Sequence, residues 1–192
     1  RDYMMAGTYY QTFAETYPGS NNAEEAAYLS ALCDYYMSPR PELDQSNTRK
    51  AIESFTIFMQ RYPTSTRVDD CKARILELQE KLVEKSYLSA RLYYDLKQYR
   101  AATVSLANSL KEYPDTKYRE ELMYLKLDAL FLYAERSVPE KQVERYQAAL
   151  DEYYSFIEEF PGSRYSKEVG RIFNTTARFL KVDTSAPVTE SN

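Results

Sequence analysis

The chain has 192 residues, of which 44% are hydrophobic, and this is enough to form the continuous core of one helical-repeat domain. It contains no histidine, which excludes nucleophilic systems that use a histidine base and the usual histidine metal sites. The formal net charge of −4 argues against a general nucleic-acid binder. No stretch approaches the roughly 20 apolar residues that a membrane span needs.

Apolar residues recur at helical spacing along the chain and predict eight helices, over residues 3–17, 21–37, 48–61, 66–96, 99–112, 117–136, 139–159 and 164–181. Residues 38–47 contain two prolines and several turn formers, so they predict a surface loop that is either a tolerated insertion or a contact for a partner. The pattern already runs as a helix from the first residues, which predicts that the chain is truncated at its N-terminus. The tail, residues 183–192, is predicted to be disordered.

One closing pattern occurs four times and is the strongest signal in the sequence. Each copy has an alanine twelve residues before a proline, a large apolar or aromatic residue eight before it, and an aromatic residue directly before it. The prolines are Pro18, Pro63, Pro114 and Pro161. Proline cannot continue a helix and disfavours α geometry in the residue before it. The pattern therefore predicts the ends of the second helices of tetratricopeptide (TPR) pairs, with repeats longer than the usual length of about 34 residues.

The cysteines and tyrosines are assigned mainly to packing. Cys33 and Cys71 lie on neighbouring first helices, but their positions along those helices, counted from the preceding prolines, differ by about two turns. Buried free thiols are therefore favoured over a disulfide. Five tyrosines at repeat positions are predicted to be core residues: Tyr17, Tyr62, Tyr93, Tyr99 and Tyr113. A second group is predicted either to line a concave groove for an extended or helical peptide or to pack between repeats: Tyr28, Tyr35, Tyr87, Arg91 and Tyr94.

The last predicted helix is basic while the rest of the chain is acidic. Its basic residues are Arg164, Lys167, Arg171, Arg178 and Lys181, against the single acid Glu168. This segment is predicted to be a docking face for a partner, with Lys111 and Arg145 nearby; the alternative is the polar outer side of a capping helix.

Nothing in the chain predicts an enzyme. The adjacent acidic pairs, such as Glu24 with Glu25, point about 100° apart on a helix and do not converge as an acid–base dyad. Four scattered glycines cannot form a phosphate-binding loop. We therefore assign no catalytic, cofactor-binding or metal-binding residue.

Several ordered motifs resemble one family, the BamD (YfiO-like) TPR lipoproteins of the outer-membrane β-barrel assembly machine, especially those of Bacteroidetes type. The resemblance covers about residues 3–182. It is carried by Tyr62-Pro63-Thr64-Ser65, Arg74-Ile75-x-x-Leu78, Lys81-Leu82, Ala90-x-x-Tyr93-Tyr94, Tyr99-x-Ala101-Ala102 and Tyr113-Pro114-Asp115-Thr116. Two flanking motifs are also similar: Phe13-x-x-x-Tyr17-Pro18-Gly19-Ser20 and Pro39-x-x-Glu42-Leu43-Asp44-Gln45.

The resemblance implies a TPR protein at the periplasmic face of the outer membrane, anchored through an N-terminal lipidated cysteine that this chain lacks. It implies binding to the periplasmic POTRA domains of the barrel protein BamA, chiefly through the C-terminal repeats. It also implies that the N-terminal repeats receive unfolded outer-membrane proteins. The chain departs from the proteobacterial pattern at Ser105, where that pattern has an arginine, although Lys111 keeps a basic residue nearby.

The sequence thus predicts an all-α, TPR-like solenoid of antiparallel helix pairs in a right-handed superhelix, forming a single domain over residues 1–182. The predicted function is that of a non-catalytic scaffold without cofactors, which binds BamA and unfolded outer-membrane proteins but no nucleic acid. The alternative is another periplasmic TPR adaptor, for example one that coordinates cell-wall synthesis.

Overall fold

The computed structural model describes residues 2–182, and this part of the chain is entirely helical and free of strands. Its eight helices are α1 Tyr3–Thr16, α2 Ala23–Met37, α3 Ser46–Arg61, α4 Val68–Asp95, α5 Tyr99–Glu112, α6 Arg119–Glu135, α7 Pro139–Glu159 and α8 Ser166–Leu180. The all-α, TPR-like helical repeat fold is confirmed. Every predicted helix is present, with its ends within two residues of the predicted ones. The tail that was predicted to be disordered lies outside the described residues.

The closing pattern ends the second helix of each pair by the same local geometry. The aromatic residue before the proline leaves helical geometry, as Tyr62 does with φ −128° and ψ 63°. Its N–H still donates to the carbonyl four residues earlier, as Tyr62 does to Phe58 at 2.9 Å. The proline that follows has no N–H to extend this ladder, so α1, α3, α5 and α7 all stop at equivalent positions.

The described residues divide into two compact units, the first ending at Lys85 and the second beginning at Ser86. The first unit is built around buried Ala51, Phe55 and Phe58 of α3, which pack against Tyr28 and Ala31 of α2. The predicted loop connects α2 to α3 and is ordered. Buried Gln45 donates to the carbonyls of Arg40 and Leu43 at 2.9 and 3.0 Å, which fixes the loop from inside.

The second unit contains two apolar clusters that share α6. One joins Ala90, Tyr99, Ala102 and Leu106 to Leu122 and Ala129 of α6. The other joins Leu127 of α6 to Phe156 of α7 and to Val169 and Ile172 of α8. The turn between α4 and α5 places Lys97 in the left-handed region, at φ 59°. Packing on both sides of α6 makes it the central helix of this unit.

The two cysteines are buried and free, as predicted. Burial raises the pKa of the Cys71 thiol to about 11, so this thiol is protonated at neutral pH.

The core assignment of two tyrosines is wrong: Tyr17 is 59% exposed and Tyr93 is 44% exposed. Tyr17 ends α1, which no earlier helix of the described residues covers, and Tyr93 lies in the last turn of α4. By contrast, Tyr99 is buried, while Tyr62 and Tyr113 are half-buried.

No helix among residues 2–182 is both long enough and apolar enough to cross a membrane.

Candidate functional site

Two tyrosines of α2 bind carboxylates of α4 in the first unit. The Tyr28 hydroxyl donates to Asp70 at 2.6 Å, and the Tyr35 hydroxyl donates to Glu77 at 2.7 Å. The tyrosines are seven residues apart, and so are the carboxylates, so each pair lies on one face of its helix. These contacts join one first helix of a TPR pair to the next.

Arginines of α4 and its leading turn surround these contacts. The Arg67 guanidinium lies 4.6 Å from the ring centroid of Tyr28, and that of Arg74 lies 4.7 Å from the ring centroid of Tyr35. Arg74 also donates to Asp70 at 2.7 Å. This bond, with the one from Tyr28, holds the pKa of Asp70 below its usual range. Asp70 is therefore ionised at neutral pH and accepts both donors.

The second unit repeats the arrangement between α4 and α6. The Tyr87 hydroxyl donates to Glu121 at 2.9 Å, and the Tyr94 hydroxyl donates to Asp128. Arg91 donates to the Tyr87 hydroxyl at 2.7 Å and to Glu121 at 3.1 Å. Burial raises the pKa of Asp128. We call these four hydrogen bonds, two in each unit, the tyrosine–carboxylate pairs.

The predicted client-groove residues are thus engaged between helices. Tyr28 and Tyr87 are only 4% and 7% exposed, and their rings pack between successive first helices, which is the packing that the sequence left open as the alternative. Tyr35 and Tyr94 are half-buried, and Arg91 is exposed. The structure brings Tyr87 and Arg91 into direct contact, and it shows Tyr28 and Tyr35 on one face of α2. Of these residues, a ligand could therefore contact only the exposed parts of the Tyr35 and Tyr94 rings and the Arg91 side chain.

Four of the predicted docking residues lie together at α8. Lys167, Arg171 and Arg178 are exposed on one face of the helix, and Arg164 is exposed in the turn before it. The opposite face buries Val169, Ile172, Thr176 and Ala177. Arg164 donates to the Tyr165 hydroxyl at 2.7 Å and lies 3.5 Å from a Glu121 carboxylate oxygen. The result is an amphipathic helix with a basic outer face.

The other two predicted docking residues lie on other helices. Lys111 is exposed in the last turn of α5. Arg145 of α7 donates to the Ser137 hydroxyl, and its guanidinium lies 4.0 Å from the ring centroid of Tyr133. These contacts hold Arg145 at the connection between α6 and α7, so its side chain is committed to internal packing.

The sequence interpretation missed a cleft of about 330 Å³ between α1 and α2. Its apolar walls come from Tyr9, Tyr10 and Phe13 of α1 and Leu29 of α2, and Glu25 lies at its rim. Tyr10 belongs to the closing pattern of the first repeat, so that pattern was the available signal for an apolar surface on α1. A second cleft of about 310 Å³ lies against α1, α2 and α3, with Lys50, Glu53 and Arg61 among its lining residues.

Comparison with known proteins identifies the family. Residues 1–130 match the family described as "YfiO: Outer membrane lipoprotein". The "Outer membrane protein assembly factor BamD" of Caulobacter vibrioides is 25% identical over 162 residues, which cover 84% of this chain and 50% of the relative. The "Putative outer membrane protein assembly factor BamD" of Aquifex aeolicus is 27% identical over 181 residues, covering 94% of this chain and 57% of the relative. The chain spans about half the length of these curated relatives.

The family consists of lipoproteins and the relatives are assembly factors, which confirms the prediction of a non-catalytic family. The match extends from the first residues through most of α6, so it includes all four tyrosine–carboxylate pairs and ends before α8. On this evidence the chain belongs to the YfiO family of outer membrane lipoproteins, to which the BamD assembly factors are related.

Proposed function

We propose that this chain is a non-catalytic scaffold for the assembly and insertion of outer-membrane β-barrel proteins, acting at the periplasmic face of the outer membrane. The observation that carries the proposal is the family match over residues 1–130, together with relatives that are named outer membrane protein assembly factors. Membrane contact is made through a lipid anchor outside these residues, rather than through the helices described above.

The scaffold docks to the POTRA domains of the barrel protein BamA through the basic face of α8. Lys167, Arg171 and Arg178 present three positive charges on one exposed face, and Arg164 adds a fourth next to it. Charges on an exposed face of this kind steer association with an acidic partner and set its orientation. Lys111 extends the positive surface only if the partner also reaches α5.

Unfolded outer-membrane protein segments are received by the earlier repeats. Support comes from the exposed Arg91 and the half-buried rings of Tyr35 and Tyr94, which combine a hydrogen-bonding charge with aromatic edges. Tyr28 and Tyr87 contribute indirectly, because each holds together the helices that carry these residues in its own unit.

The proposal is tested by calorimetry with the purified chain and the soluble POTRA region of BamA from the same organism, at two salt concentrations. We expect a 1:1 complex whose affinity falls as salt rises, because exposed charges are screened over about 10 Å at 0.1 M salt. A complex that salt does not weaken would move the interface to the apolar clefts. Absence of binding at low salt would contradict the proposed docking.

Charge reversal locates the interface. The triple variant Arg164→Glu, Lys167→Glu, Arg171→Glu is expected to weaken POTRA binding at least tenfold while keeping the helical circular dichroism of the parent. The matched control, Arg49→Glu, Lys72→Glu, Arg100→Glu, reverses three exposed charges on other helices and is expected to change the affinity much less. Equal losses in both variants would show that only the net charge matters.

A further inference from the structure

The helices that follow the closing prolines share two positions that face the previous first helix. The fourth residue after the proline is Arg67, Tyr118 or Tyr165, and it stacks on Tyr28, Tyr87 or Tyr124 at 4.6, 4.1 and 4.1 Å. The seventh residue is an acid in each case: Asp70, Glu121 or Glu168. Two of these helices carry a second acid seven residues later, Glu77 in α4 and Asp128 in α6. An incoming first helix therefore presents a flat group, a carboxylate and a second carboxylate at constant spacing.

The receiving residues occupy matching positions in α2 and α6, whereas in α4 the donors Tyr87 and Tyr94 lie fourteen residues further on, 24 and 31 residues after Pro63. In α2 the donors are Tyr28 and Tyr35, the tenth and seventeenth residues after Pro18. In α6 the tenth residue after Pro114 is Tyr124, which receives Tyr165. The same two positions in α8, counted from Pro161, are Arg171 and Arg178. The last described helix thus carries guanidinium groups where α2 carries the hydroxyl donors for the next helix.

These two guanidinium groups are available. Arg171 and Arg178 are exposed, and neither side chain forms a hydrogen bond or an ion pair with another residue in the range 2–182. Arg164, in the turn before α8, is different because it already contacts Tyr165 and Glu121. A guanidinium donates up to two parallel hydrogen bonds to a carboxylate and stays charged at all physiological pH values, so it is a stronger receiver than a phenol.

The spacing of the receivers matches the spacing of the acids. Arg171 and Arg178 are seven residues apart, about 10 Å along a helix, as are Asp70 and Glu77 in α4 and Glu121 and Asp128 in α6. A flat aromatic group three residues before the first acid would stack on a guanidinium as well as on a phenol ring. The charge of the two arginines and their spacing therefore both favour a bound helix with an aromatic residue and two acidic residues.

We propose that α8 receives an α-helix of a partner protein that presents an aromatic residue, an acidic residue three positions later and a second acidic residue seven positions after that. Arg171 binds the aromatic ring and the first carboxylate, and Arg178 binds the second carboxylate. The inference rests on the docking face in the proposed function and deepens it, since it names the helix chemistry that this face recognises.

The test uses the whole chain and two synthetic peptides of about 20 residues, both alanine-rich so that they are helical. The first peptide carries tyrosine, glutamate and glutamate at the proposed spacing. The second has the same composition and charge, but its glutamates are five residues apart, which turns them about 140° away from each other on the helix. Binding is measured by fluorescence anisotropy at low salt. We expect the first peptide to bind at least tenfold more tightly.

Matched variants assign the binding to the two arginines. The double variant Arg171→Gln, Arg178→Gln is expected to reduce binding of the first peptide to the level of the second. The control Arg49→Gln, Arg100→Gln removes the same charge from exposed sites on α3 and α5 and is expected to leave the affinity within twofold. Thermal melts check that both variants remain folded.

Equal binding of the two peptides, or an equal loss in the two variants, would overturn the inference. The attraction would then depend on net charge and not on the spacing of the acidic residues along the peptide helix. Absence of binding by both peptides would also overturn it. In each case, intact binding to the POTRA region in calorimetry would leave the proposed function standing. Loss of POTRA binding with intact recognition of the first peptide would overturn the docking to BamA alone.

Discussion

Helices α1 and α3 carry the same closing pattern, yet only one of them is covered. Phe55 of α3 is fully buried against α2, whereas Tyr10 at the equivalent position of α1 is 38% exposed and lines an open cleft. Helix α2 does pack against α1, but through the face that carries Gly7 and Ala14. Periodicity therefore decides which residues share a face, and only a neighbouring helix turns that face into core.

Truncating the covered residue should produce the largest effect. Phe55→Ala leaves a cavity inside the first unit and is expected to cost about 3–5 kcal/mol of unfolding free energy. Tyr10→Ala removes a ring that already contacts water and is expected to cost less than about 1 kcal/mol. Urea denaturation measures both values. Similar losses would mean that the cleft beside α1 is closed in solution.

Burial also makes a difference between the pKa values of two carboxylates that accept hydrogen bonds from tyrosine hydroxyls. The hydrogen bond from Arg74 lowers the pKa of Asp70, while burial raises the pKa of Asp128. Asp70 therefore stabilises the fold fully above the unfolded pKa of about 3.9, and this contribution is lost as pH falls through its lower folded pKa. Ionised Asp128 carries a penalty above its raised folded pKa, and the penalty is relieved as pH falls from there to about 3.9.

Two asparagine variants measure these opposite pH dependences of the unfolding free energy. The stability difference between the parent and Asp70→Asn is expected to shrink as pH falls below about 3.9. Relative to Asp128→Asn, the parent is expected to gain stability as pH falls towards about 3.9 from the raised pKa of Asp128. Carboxyl-carbon NMR titration of the parent provides the direct check. Titration of Asp70 above Asp128 would contradict the assignment.

The smallest effect concerns how closely α1 approaches α2. A Cβ at Gly7 would lie 3.1 Å from the Cβ of Cys33, while a Cβ at Gly170 of α8 would meet no atom within 4 Å. Alanine favours a helix over glycine by about 1 kcal/mol, so Gly170→Ala is expected to stabilise the chain by about 0.5–1 kcal/mol. Gly7→Ala is expected to gain less or to destabilise. Thermal denaturation decides, and an equal gain at both sites would show that α1 can move away from α2.

The helices and their ends could be predicted from the sequence, because proline chemistry and apolar periodicity act over a few residues. The same local signals predicted the basic helix that carries Lys167, Arg171 and Arg178. The tyrosine–carboxylate pairs could not be predicted in this way. Asp70 lies 42 residues from Tyr28, and Glu121 lies 34 residues from Tyr87, so nothing local connects the partners. The exposure of Tyr17 and Tyr93 was missed for a related reason, since it depends on which of the described helices pack beside them.

The tyrosine–carboxylate pairs also give the chain an optical reporter of its folding. With 20 tyrosines and no tryptophan, its near-ultraviolet emission comes from phenol rings alone. A phenol that donates to a carboxylate emits weakly, because the excited ring passes its proton to the acceptor. Four phenols donate to carboxylates in this way and are expected to emit weakly in the folded chain: Tyr28, Tyr35, Tyr87 and Tyr94. Separation of successive first helices would release these rings, so their emission would brighten as the helices part, without any attached dye.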